Sequence, residues 1–149
     1  QIKFDDFSRR GSDERQFDYP GVDFSCAYFS TKKFHQYPEY HSSKDDLKFI
    51  SIDQLMKSAE IYLYAIFLLE NNCRYLATTY GEPKLSNYGL WPVENVGGRI
   101  PSPINPLNIL VQFDGNSDLV DIASKSNLNF LDLLKYTEKF VENNLVKKI

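Results

Sequence analysis

Residues Ser51–Leu69 read S-I-D-Q-L-M-K-S-A-E-I-Y-L-Y-A-I-F-L-L, and this stretch sets the fold class. Ser51 and Gln54 stand at capping-box spacing, a hydroxyl at the cap and an amide three positions on. Behind them Leu55, Ala59, Tyr62, Ile66 and Leu69 recur at helical spacing, which predicts one helix ending at about Asn71 or Asn72. Its most apolar part, Ile61–Leu69, is interrupted by Tyr62 and Tyr64 and reads as a buried helix. Upstream, Val22–Phe29 (V-D-F-S-C-A-Y-F) mixes β-branched and aromatic residues and reads as a strand. The polar loop Ser30–Lys44, which holds His35 and His41, joins strand to helix. Strand, loop and long amphipathic helix together make the unit of an α/β layer.

Farther along, five of the seven prolines fall between Tyr80 and Pro106, which marks a linker. The expected boundary lies near Leu90, giving domains 1–90 and 91–149. Beyond it Pro106–Phe113 begins with proline at a tolerated first-turn position, and Asp114-Gly115-Asn116 is read as a break. Ser117 is read as the cap of a helix over Leu119–Lys125, with Leu119, Ile122 and Ala123 on one face. Asn127-Leu128-Asn129 turns the chain into a helix over Phe130–Asn143, with Leu131, Leu134, Phe140 and Val141 apolar, and Leu145–Ile149 closes as a short strand. Helix, turn, helix, turn, helix, strand is the order of a winged helix-turn-helix.

The 149 residues are 42% hydrophobic and 25% charged, enough apolar material for a packed core and too little charge bias to announce a partner. No apolar run approaches the roughly 20 residues of a membrane span, so no membrane association is expected. Two cysteines, Cys26 and Cys73, lack metal-type spacing. One disulfide is compatible with them, but two thiols acting as small apolar groups are preferred. These features point to a cytoplasmic location. An opening that is charged, loop-like and without methionine suggests a piece of something longer.

Two segments carry chemistry. One is Gly11-Ser-Asp-Glu-Arg-Gln-Phe17 with Pro20-Gly21-Val22, the other Tyr37-Pro-Glu-Tyr-His-Ser-Ser-Lys-Asp45. Singly each has a bland reading: an Asp-Glu pair in a loop is usually solvated, and a lone histidine before a helix is usually a surface or capping residue. Together and in this order they resemble the closing motifs of zinc aminopeptidases that use two metal ions, a group to which glutaminyl cyclases belong by fold. The resemblance is closer to a bacterial subgroup of aminopeptidase-like proteins with an appended winged helix. Its motifs G-S-D-E-R-Q-F-D-x-P-G and E-Y-H-[ST]-S-x-D-[ND]-L stand almost unchanged as Gly11–Gly21 and Glu39–Leu47. The resemblance covers the whole chain. It implies an α/β fold: the carboxy-terminal part of a three-layer aminopeptidase sandwich, followed by a small winged-helix domain.

By that resemblance His41 is a zinc ligand and Tyr40 sits beside the substrate carbonyl, where its hydroxyl can stabilise an oxyanion. Asp45 caps the turn into the helix and steadies His41 from outside the ligand set. Asp13 lies at the pocket edge, orienting a ligand or meeting the substrate's amine. Glu14 and Arg15 stand where the broader family has a histidine and a variable residue. Glu14 is kept among the candidate catalytic residues; Arg15 is read as a partner for a substrate carboxylate or for an internal acid. His35 has no place in the motif and reads as a loop histidine. The implied cofactor is zinc and the implied substrate a small peptide or amino-acid derivative. One histidine cannot complete a hydrolytic zinc site, so this segment alone is expected to lack peptidase activity.

For the winged helix, residues 92–149 hold six basic and seven acidic side chains. The presumed recognition helix opens N-F-L-D-L-L, with an acid where phosphates would lie. Phosphate neutralisation drives non-specific DNA affinity, so nucleic acid is not the expected partner, and packing or homo-oligomerisation fits better. The rival to the hydrolase is a non-catalytic binding module that uses its winged helix for assembly.

Overall fold

A computed structural model describes residues 12–22, 24–90 and 105–149. Residues 91–104, most of the expected linker, lie outside the described residues, as does Gly11 of the first motif. The chain divides into two compact units, Gln1–Glu60 and Ile61–Ile149.

In the first unit, helix α1 (Glu14–Phe17) makes one turn after Asp13. The chain then turns at Tyr19–Val22 and returns so that the Phe24 N–H donates to the Phe17 carbonyl at 3.0 Å. The strand expected over Val22–Phe29 does not form: Val22 lies in a turn and residues 24–29 follow an irregular path. A strand exists only where a second edge takes up its backbone groups, and here the available partner is a side chain, the Asp18 carboxylate accepting from the Cys26 N–H at 2.7 Å. Turns fill the stretch to Ile50.

Helix α2 (Ile52–Asn71) starts right after Ser51, as its spacing predicts, and runs from the first unit into the second. It is not the buried helix its apolar content suggests, since none of its residues is buried. Leu55, Tyr62, Ile66 and Leu69 are all exposed, and only Phe67 and Leu68 pack against a core.

The second unit is a three-stranded antiparallel sheet with helices on it. Strand β1 (Arg74–Ala77) lies between β2 (Asp114–Asp118) and β3 (Val146–Lys148). On one side Tyr75 faces Lys148 and Ala77 faces Val146; on the other Arg74 faces Asp118 and Leu76 faces Asp114. Strand β1 comes from before residue 90 yet pairs with strands from beyond it. Asp114–Asp118 (D-G-N-S-D), read from its residue types as a break, is a strand because β1 receives it. Gly115 sits in it at φ 81°, so the left-handed backbone favours glycine there, and an added Cβ would press on the exposed end of Ile149 at 3.2 Å.

Helix α3 (Pro106–Leu110) opens with proline behind Asn105, whose side chain accepts from the Leu107 N–H. Helix α4 (Leu119–Ser126) is capped by Asp118 rather than Ser117, its carboxylate accepting from the Asp121 N–H at 2.9 Å. Asn127, left-handed at φ 51°, ends it, and α5 (Phe130–Glu142) follows behind an Asn129 cap. The buried face of α5 is Phe130, Leu133, Thr137 and Phe140; the apolar Leu131 and Val141 are exposed. Around Leu133, Leu119 and Phe140, all 0% exposed, gather Ile109, Phe113, Ile122, Leu145 and Leu85. Cys26 and Cys73 are free thiols, each half-buried. Among the described residues no helix is long and apolar enough to cross a membrane.

The Asp118 cap has a pH signature. The Asp121 N–H holds its carboxyl below the ordinary value of 3.8, with the Asn72 side chain and Arg74 adding to the effect. A depressed folded pKa gives stability that is present above the unfolded pKa and is lost as pH falls through the folded one. Asp118→Ala is therefore expected to cost about 0.5–2 kcal/mol near neutral pH, with the gap to wild type closing under acid. Urea titrations at pH 7 and at the lowest pH the fold tolerates would measure both differences.

Candidate functional site

The second motif folds as consecutive turns. The Tyr40 N–H donates to the Tyr37 carbonyl at 3.3 Å and the Ser42 N–H to the Glu39 carbonyl at 3.1 Å. The Ser42 hydroxyl donates to the Glu39 carbonyl at 2.8 Å and accepts from the Lys44 N–H at 3.2 Å. Between these bonds His41 is left-handed, φ 55°. Few non-glycine residues adopt that conformation, and it costs about 1–3 kcal/mol. The His41 ring lies flat on the Tyr40 ring, 4.1 Å between centroids and 10° between planes. The imidazole is exposed, while Tyr40 is half-buried.

Asp45 is exposed. The side-chain cap beside it belongs to Asp46, which accepts from the Lys48 N–H at 2.8 Å. The Tyr37 phenol is raised first by desolvation and then by the Asp45 charge.

In the first motif Asp13 precedes α1 without a side-chain cap and is exposed, and Arg15 is exposed beside it. Glu14 is different. It is 3% exposed, and its Oε1 has no hydrogen-bond partner among the described residues. An unpaired buried carboxylate oxygen is costly, and an ion or ligand is one of its ordinary explanations.

Zinc takes imidazole nitrogen and carboxylate oxygen, so His41 and the orphaned Glu14 oxygen fit it in kind. Among the described residues no three His, Cys, Asp or Glu side chains gather as a metal group. His35, read as a loop histidine, is exposed in a turn. Also left-handed at φ 64°, it meets the Tyr40 ring edge-on at 4.6 Å. The only signal available was the density of rings in F-H-Q-Y-P-E-Y-H, Phe34–His41.

In the second unit a depression of about 350 Å³ is lined by Tyr64, Leu68 and the turn joining α4 to α5. A smaller one, about 260 Å³, lies on α5 between Asp132, Lys135, Tyr136 and Lys139. There Lys135 approaches Asp132 at 3.7 Å and Lys139 lies over the Tyr136 ring at 5.9 Å.

Comparison with known proteins places this architecture. Residues 73–148 match the family model described as winged helix-turn-helix. The chain belongs to that winged helix-turn-helix family. The winged-helix match takes in all three strands and helices α3–α5. Residues 1–72 match a second model, described as a domain of unknown function, DUF4910. A Clostridium acetobutylicum protein provisionally named a polysaccharide biosynthesis protein with aminopeptidase-like domain is 34% identical over 129 residues, 84% of this chain and 29% of the relative. A crystal structure of a protein from the same organism, provisionally named a peptidase, superposes with TM-score 0.68 at 27% identity, covering 94% of this chain and 30% of that one. This winged-helix chain therefore has relatives with peptidase-like names and spans under a third of their length.

Proposed function

We propose that this chain is the carboxy-terminal part of a zinc-dependent aminopeptidase-like hydrolase, built on a three-layer sandwich and acting on small peptides or amino-acid derivatives. The observation that carries the reading is the strained, left-handed His41 stacked on Tyr40 within the E-Y-H-S-S-K-D motif. The relatives' peptidase-like names support it. His41 would hold the metal together with donors from outside this chain, and the Glu14 carboxylate is of the right kind to face a cation. When bound, zinc would supply Lewis acidity toward a carbonyl and toward water. Tyr40 would donate a hydrogen bond to the oxygen on which charge develops. Asp13 would meet the substrate's amine and Arg15 its carboxylate. With two free thiols, a reducing cytoplasm suits the chain.

One observation favours an assembly role for the winged helix. The α5 lysines are engaged with Asp132 and Tyr136, which leaves them poorly set to neutralise phosphates. That face suits packing within or between subunits, and a non-catalytic binding protein that uses it for assembly is the second reading.

The test is metal removal. The full-length protein, dialysed against a zinc chelator, is expected to lose hydrolysis of aminoacyl amides and to regain it with added zinc. A protein that isolates without zinc and hydrolyses nothing would leave the binding reading in its place.

A further inference from the structure

Tyr40 is held between two imidazoles. His41 stacks on it, and His35 makes a T-shaped contact with it, 4.6 Å between centroids and 68° between planes. Tyr37 adds a second edge contact at 5.6 Å and Phe34 a tilted one at 6.2 Å. Phe34 also meets the His35 ring, at 5.7 Å and 77°. Behind these, Phe49 stacks on Tyr37 at 5.8 Å and Tyr28 meets Phe34 at 6.0 Å. Edge-to-face contacts are the favoured geometry of aromatic pairs. A ring stacked on a single partner can slide in its plane, whereas further steeply inclined neighbours restrict the slide. The left-handed backbone at His35 suggests that its ring is held there against a local cost.

We infer that His35 is a positioning residue, whose ring edge fixes the Tyr40–His41 stack so that phenol and imidazole keep one relative placement. The inference rests on the hydrolase reading for its consequence in catalysis and on ring geometry alone for its structural part. A loosened stack would blunt turnover more than binding, because misplacement of about 1 Å can cost on the order of 100-fold in rate.

The experiment compares His35→Ala, His35→Leu and His35→Phe in the full-length protein. The alanine and leucine variants are expected to lower kcat by about 10- to 100-fold, with KM and zinc content near wild type. Phenylalanine, which restores a ring edge, is expected to recover most of the loss. Leucine fills the space without a ring and keeps the comparison valid should alanine not fold. In parallel, NMR of labelled histidine is expected to show the His41 ring protons shifted by the Tyr40 ring current. That shift should relax in the leucine variant and return in the phenylalanine variant. Unchanged kcat and unchanged His41 shifts in the leucine variant would overturn the inference. So would a rise in KM at constant kcat, which would make His35 a substrate contact. If wild type holds no zinc and hydrolyses nothing, the hydrolase reading fails by itself, and the NMR shifts still decide whether His35 fixes the stack.

Discussion

Replacing His41 with asparagine is expected to remove zinc and hydrolysis from the full-length protein while leaving its thermal stability close to wild type. Outer partners of metal-bound histidines cost about 10- to 100-fold in affinity when lost, so loss of a ligand itself should exceed that range. Asparagine tests this more sharply than alanine, because it tolerates the left-handed backbone that His41 adopts at φ 55°. Histidine and asparagine both favour this region among non-glycine residues, so the substitution adds no new backbone strain. A site kept for function gives up activity and keeps stability; a structural histidine would lose both. Metal analysis alongside a thermal melt separates the two. Zinc occupancy that survives the substitution would take His41 out of the ligand set.

The second large effect is expected in the winged helix. Phe140 is 0% exposed, meets Phe113 at 6.1 Å and Tyr136 at 6.3 Å, and its carbonyl accepts from the Leu145 N–H at 2.8 Å where the chain leaves α5 for β3. Truncating a buried phenylalanine costs about 3–5 kcal/mol, a large share of the 5–15 kcal/mol or so that holds a domain together. Phe140→Ala should therefore shift the urea midpoint far to the left. Leu131→Ala and Val141→Ala, on the exposed side, should each stay within about 0.5 kcal/mol of wild type. Equal losses at all three positions would mean that the helix buries a different face.

That contrast also marks where sequence reading reaches and where it stops. The starts of α2, α3, α4 and α5 and the extents of α2, α4 and α5 were legible because caps, proline and helical spacing are local signals, whereas α3 stops at Leu110, short of the Phe113 its pattern predicts. Within α5 apolar content alone did not fix the buried stripe: of the apolar Leu131, Leu134, Phe140 and Val141 only Phe140 is buried, and Phe130, Leu133 and Thr137 complete that face. The strands were legible only in part. D-G-N-S-D carries turn chemistry and R-Y-L-A carries almost none, yet both are strands because each offers the other a ladder. V-D-F-S-C-A-Y-F has the composition of a strand, and its backbone turns instead to the Asp18 carboxylate. Of the proposed site, His41, Tyr40 and Glu14 were candidates from their motifs, while the burial of Glu14 and the left-handed backbone of His41 were not legible there. His35 was not a candidate, because its contact with Tyr40 depends on a backbone turn that residue types do not announce.

Helix α2 carries one further consequence. Ile52 is 77% exposed, Leu63 67% and Leu69 76%, which leaves a greasy rod facing water on nearly every side. Released by itself at high concentration, such a segment would seek any oily companion, including its own twin, before it found a specific mate. Clumping of this chain at high concentration would then reflect these exposed apolar side chains and not a failure to fold.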